Sequence, residues 1–164
     1  MFVLGIDPGL TRTGYGIVES DAGRTRAVTA GVIRTDPKVS TAQRLLELRA
    51  DILGVLDDYT VDCAAIEQVF VNRNRGTAIA VARASGVIMA TVAGHGIAVA
   101  EYTPSQMKLT ITGSGSADKD QIAAVVSMRL GLGSVSGPAD VADALGVALC
   151  HVQHSGHLAS RIAR

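Results

Sequence analysis

At 164 residues and 48% hydrophobic, the chain holds enough apolar material for one well-buried core and points to a single domain. Fifteen Lys plus Arg balance fifteen Asp plus Glu, so the basic excess that commonly marks a nucleic-acid binder is missing, and any such contact must rest on local charge. Cys63 and Cys150 form no CxxC pair, which argues against a disulfide scaffold or a thiolate zinc site. Both read as small buried hydrophobes of a reducing compartment. Met1–Gly5 lacks a basic leader, and no apolar run approaches the ~20 residues that span a bilayer. The expected location is the cytoplasm.

Phe2–Asp7 reads as a buried strand ended by the turn former Asp7-Pro8-Gly9. Thr13–Glu19 and Arg26–Arg34 follow as partner strands, an antiparallel meander with short glycine-containing turns. Ser40 or Thr41 caps a helix to about Asp58, with Leu45, Leu48, Ile52 and Leu56 at helical spacing. After such a helix, Asp62–Glu67 is best placed as a strand parallel to the first. Asn74–Ala93 is apolar on nearly all sides, which suggests a helix packed on more than one side and suited to a dimer interface.

A fifth strand is expected at Ile97–Tyr102, a short helix from about Pro104, and another carrying Ile122, Val125, Val126 and Leu130. Pro138 opens the last helix. Thr112–Ser116 and Gly131–Gly137 are glycine-rich loops, not domain linkers. Residues 1–154 form the expected domain, 155–164 read as a loosely held tail, and Gly156 interrupts the helix pattern. His151, His154 and His157 therefore make a poor metal site, and His95, between two glycines, reads as a loop residue.

The chemistry lies in the acidic residues. Asp7 and Glu67 close two strands expected to be parallel neighbours, roughly 4.8 Å apart, so their side chains can reach one metal ion. Asp140 and Asp143, three apart in the first turn of the last helix, project from one face and can close the cluster. Four crowded carboxylates repel one another unless divalent cations neutralise them. Hard oxygen donors without His or Cys favour Mg²⁺ or Mn²⁺ over zinc. Two ions about 3.5–4 Å apart would suit in-line phosphodiester hydrolysis. Singly, each residue has a plainer reading: Asp7 as turn chemistry, Asp140 as a favourable charge at a helix N-terminus. Glu67, closing the apolar run Ala64-Ala65-Ile66, is costly to bury without a partner.

These residues lie in motifs. Gly5-Ile6-Asp7-Pro8-Gly9 with Thr13-Gly14-Tyr15-Gly16, then Ala65–Phe70, then Lys108 through Gly113, Gly115, Ala117, Lys119 and Gln121, then Ala139–Leu145 resemble RuvC-type junction resolvases, in that family's order, from about Val3 to His151. The resemblance implies an α/β, RNase H-like fold, a mixed five-stranded sheet flanked by helices. It implies a Mg²⁺-dependent endonuclease, with Mn²⁺ able to substitute, that cuts four-way (Holliday) DNA junctions as a homodimer. Asp7, Glu67, Asp140 and Asp143 would be its metal-binding catalytic carboxylates, and Lys108 and Lys119 would serve catalysis and DNA contact. RuvA and RuvB would be its branch-migration partners.

Phe70, just past Glu67, is placed to stack on an unpaired base, with Arg73 and Arg75 to hold phosphates; a buried strand-end Phe is the plainer alternative. Three other functions fit parts of the pattern: a small actin-like ATPase, for which one domain is too few, a junction-binding scaffold without chemistry, and an RNA nuclease.

Overall fold

The computed structural model describes residues 1–69, 75–133 and 138–162, with Arg75 and residues 156–162 described as backbone alone. Strand β1 (Phe2–Asp7) pairs antiparallel with β2 (Arg12–Asp21), and β2 with β3 (Arg24–Arg34). Between β2 and β3, Ala22 and Gly23 both take positive φ, 46° and 80°, the two-residue turn whose twist matches the flanking strands. Both strands reach this turn and so run longer than the sequence pattern suggests. Helix α1 (Thr41–Asp58) leads to β4 (Cys63–Glu67), parallel to β1, and α2 (Arg75–Gly94) leads to β5 (Ala98–Tyr102), parallel to β4. The sheet order is β3-β2-β1-β4-β5. Helices α3 (Pro104–Thr112), α4 (Lys119–Arg129) and α5 (Ala139–Ile162) complete the chain.

Side-chain alternation along the strands sorts the helices into two layers. Leu4, Ile6, Ala64 and Ile66 point into a core with Leu48 and Ile52 of α1 and Ala84, Ile88 and Val92 of α2. Val3, Val18 and Ala65 point the other way, into a core with α3, α4 and α5. The helix starts are fixed by local chemistry. Ser40 caps α1 by accepting from the Gln43 amide, while reciprocal capping boxes, Thr103 with Gln106 and Asp118 with Gln121, set the first residues of α3 and α4. Lys119 thus leaves the chain directly after a fixed cap.

Three expectations need correction. Helix α5 does not stop at Gly156 but runs to Ile162, so the stretch expected to be a tail continues the helix. A helical glycine costs only about 1 kcal/mol, and the preceding turn is anchored: the Tyr102 hydroxyl and His151 Nδ1 share a 2.9 Å hydrogen bond, and His154 stacks on the Tyr102 ring. Secondly, no apolar run of membrane-spanning length was expected, yet Gly76–Gly94 is long and apolar enough to cross a membrane by length and composition, with 28% of its most apolar stretch buried. Within one chain Ala84, Ile88 and Val92 meet the core and the opposite face is exposed. Thirdly, Cys63 is half-buried, although Cys150 is buried as anticipated, and both thiols are free.

Candidate active site

The register of β1 and β4 places the first two acids. Ile6 lies opposite Ile66, so Asp7 and Glu67 come next on adjacent parallel strands, on the sheet face that carries α5. That face is unusually flat. A methyl group built on Gly5 would lie 2.0 Å from the Ala144 carbonyl oxygen, and one on Gly14 2.0 Å from the Asp140 carbonyl oxygen, while Gly16 sits under the Leu145 side chain. Glycine inside a strand marks a close approach, and here it lets the backbone of α5 lie directly on the sheet. Since Gly14 pairs with Asp7, the contact at Gly14 sets the start of α5, with Asp140 and Asp143, beside Asp7.

Electrostatics record that proximity. Asp7 is pushed up to about 8, chiefly by burial and then by the charges of Glu67, Asp143 and Asp140, with Lys119 opposing. Burial and Asp143 raise Glu67 to about 7, against the pull of Lys119 and Lys108. Lys119 Nζ lies 3.4 Å from Asp143 Oδ2, and that partner holds the ammonium above the ordinary lysine range. All four acids and both lysines singled out in the sequence therefore belong to one electrostatic neighbourhood.

The acids are coupled but not closed around a point: among the described residues, no three Asp, Glu, His or Cys side chains come near enough together to hold one ion. The donor set nonetheless fits a hard divalent cation. It offers only carboxylate oxygens, two of its members are driven toward protonation by burial and then by their neighbours' charges, and Asp140 Oδ2 is buried without a hydrogen bond.

Arg12, which the sequence reading passed over, approaches that oxygen with Nε at 3.4 Å, an ion pair by distance that lacks hydrogen-bond geometry. The turn carrying Arg12 is tied to α1: Arg44 donates to Thr35 Oγ1 at 2.9 Å and to Thr11 Oγ1 at 2.7 Å. The available signals were the arginine that opens β2, five positions past Asp7, and the glycines inside β1 and β2. Phe70 and Arg73 lie outside the described residues, as does the Arg75 side chain. His151 and His154 are engaged with Tyr102 and Thr110, away from the acids, and His95 sits in a turn with its Nε2 3.8 Å from Asp57 Oδ1.

A stability prediction follows from the raised acids. Without divalent ions the folded chain holds the protons of Asp7 and Glu67 more tightly than the unfolded chain does. Their contribution is full below the ordinary carboxylate range and is lost as pH rises through about 7–8. In EDTA, thermal unfolding should come at lower temperature at about pH 9 than at about pH 5.5, and Asp7→Asn should flatten that dependence. Equal slopes for the two proteins would contradict the coupling.

A mixed sheet in this order, with acids closing two adjacent parallel strands and opening the helix laid across them, defines an RNase H-like nuclease. The sequence narrows this further. The family model for crossover junction endodeoxyribonuclease RuvC matches residues 3–151. Crossover junction endodeoxyribonuclease RuvC of Syntrophomonas wolfei is 46% identical, the alignment covering 98% of this chain and 92% of that one. Thermus thermophilus RuvC superposes with a TM-score of 0.86 at 32% identity over 96% of each chain. Its complex with a Holliday junction substrate gives 0.88 at 33% identity over 94% of each. The chain belongs to the RuvC family of crossover junction endodeoxyribonucleases, hydrolases that cut DNA. The ATPase and RNA-nuclease alternatives give way to that membership.

Proposed function

We propose that this chain resolves four-way DNA junctions by paired, symmetric nicks in homologous recombination and repair, acting in the cytoplasm as a Mg²⁺-dependent homodimer, with Mn²⁺ able to substitute. The observation that carries the reading is the meeting of Asp7 and Glu67, on neighbouring parallel strands, with Asp140 and Asp143 at the start of α5. In this reading the four carboxylates hold the metal, two ions per site. An ion held there would supply a more acidic water and would stabilise charge on the phosphodiester.

The protein's own residues do the rest. The acids orient the water and the phosphate, and Lys119 and Lys108 supply positive charge where the transition state gathers negative charge. Water oxygen bonds to phosphorus as the bond to one bridging oxygen breaks, leaving a hydroxyl terminus and a phosphate terminus. Phe70, Arg73 and Arg75, directly after Glu67 in the chain, are proposed to meet the DNA.

Symmetric nicking asks for two sites related by a two-fold axis, as a junction's own approximate symmetry does. Helix α2 supports a second copy: opposite its buried Ala84, Ile88 and Val92, it exposes Ile79, Ala82, Gly86 and Ala90 at helical spacing. RuvA and RuvB remain the partners this reading proposes for branch migration.

The test compares a four-way junction, linear duplex and structured RNA in Mg²⁺ and in EDTA. Cleavage restricted to the junction, giving ligatable products from paired nicks and none in EDTA, is the expected result. Equal cutting of linear duplex, or cutting in EDTA, would refute it.

A further inference from the structure

The cation on the acidic site's other flank has no role in the reading above. Arg12 reaches Asp140 from solvent, its side chain 55% exposed against 20% for the aspartate. The oxygen it approaches is buried and takes no hydrogen bond, so the pair rests on charge alone. Such partly exposed pairs hold weakly, and a doubly charged ion at the same oxygen interacts about twice as strongly as a guanidinium at equal distance. Arg12 is therefore displaceable.

The backbone beneath it is not. Besides the two Arg44 bonds, Thr35 donates to the Leu10 carbonyl at 2.5 Å and Thr13 to the Gly9 carbonyl at 2.6 Å, fixing the turn on both sides of Arg12. A displaced Arg12 side chain swings from a stationary base. It swings over a cleft of ≈ 480 Å³ lined by Asp7, Gly9, Arg12, Thr77 and Asp140 and running from the acids toward the start of α2. Lys119 borders a separate cleft with Asp143. A DNA backbone crossing the acids would then meet one cation in each cleft.

We propose that Arg12 is the resident counter-ion of Asp140, that it yields its place to the divalent metal, and that it then binds a phosphate of the DNA strand beside the one being cut. This rests on reading Asp140 as a metal-binding carboxylate.

The experiment titrates Mn²⁺ into the dimer without DNA, by calorimetry, for the parent, Arg12→Gln, Arg12→Lys and Asp140→Asn, and then measures kcat and KM on a four-way junction across a range of salt. Removing one unit charge at this distance should tighten Mn²⁺ binding about fivefold in R12Q and little in R12K. R12Q should raise KM for the junction about tenfold with a smaller change in kcat, and lower the salt dependence of KM by about one ion. Parental or weaker Mn²⁺ affinity in R12Q, or an unchanged KM, overturns the proposal. If the parent binds no Mn²⁺ that D140N loses, the reading of the acidic site falls too; if it does and R12Q is silent, only the role of Arg12 falls.

Discussion

Asp7→Asn is expected to bind a four-way junction as the parent does and to cut it in Mg²⁺ about a thousandfold more slowly or worse. The amide keeps the shape of the carboxylate and removes the charge at the centre of the cluster, where Glu67, Asp143 and Asp140 all act on Asp7. It should also melt at higher temperature than the parent in EDTA above neutral pH, since one buried, repelled charge is gone. Loss of function with gain of stability is the mark of a residue kept for chemistry. Gel-shift binding, single-turnover cleavage and thermal unfolding on one preparation decide the matter. Cutting at the parental rate would remove Asp7 from the chemistry, and loss of junction binding would make its role structural.

Gly14→Ala is expected to act from beneath the helix. Its added methyl would meet the Asp140 carbonyl oxygen at 2.0 Å and carbonyl carbon at 2.6 Å, and a backbone cannot turn aside as a side chain can. Helix α5 must lift, carrying Asp140 and Asp143 away from Asp7. Overpacking of this kind costs about 3 kcal/mol, and the folded fraction should lose most of its cleavage. Gly5→Ala meets Ala144 and Ala148 farther along the same helix, so it should destabilise similarly while disturbing the acids less.

Gly54→Ala is the control. Nothing lies within 4 Å of a methyl there, in the interior of α1, and alanine should stabilise by about 0.5–1 kcal/mol. Urea unfolding of the three variants gives the comparison. If G14A unfolds like the parent and cuts normally, the glycine track is not what sets the acids.

The order of the elements is legible in the residues alone, because each announces its own period and its own ends. Ser40, Thr103 and Asp118 mark helix starts by local hydrogen bonding, and Asp7 and Glu67 close apolar runs short enough to be strands. The acids that the proposed chemistry uses were legible as well, Asp7 and Glu67 at the ends of strand patterns and Asp140 and Asp143 three apart at a helix start.

Tertiary structure alone decided which face of the sheet receives α5, how closely, and what stands beside the acids. Arg12 meets Asp140 across 128 positions of chain through one ion pair, and Arg44 steadies the Arg12 turn from a helix on the opposite layer. Local pattern could not give Gly156 a place inside a helix, because contacts of Tyr102 with α5 offset the local cost. The physical reason is range. Helix caps and strand ends are set by neighbours a few residues away, whereas charge coupling and close packing depend on distances that exist only after the chain has folded.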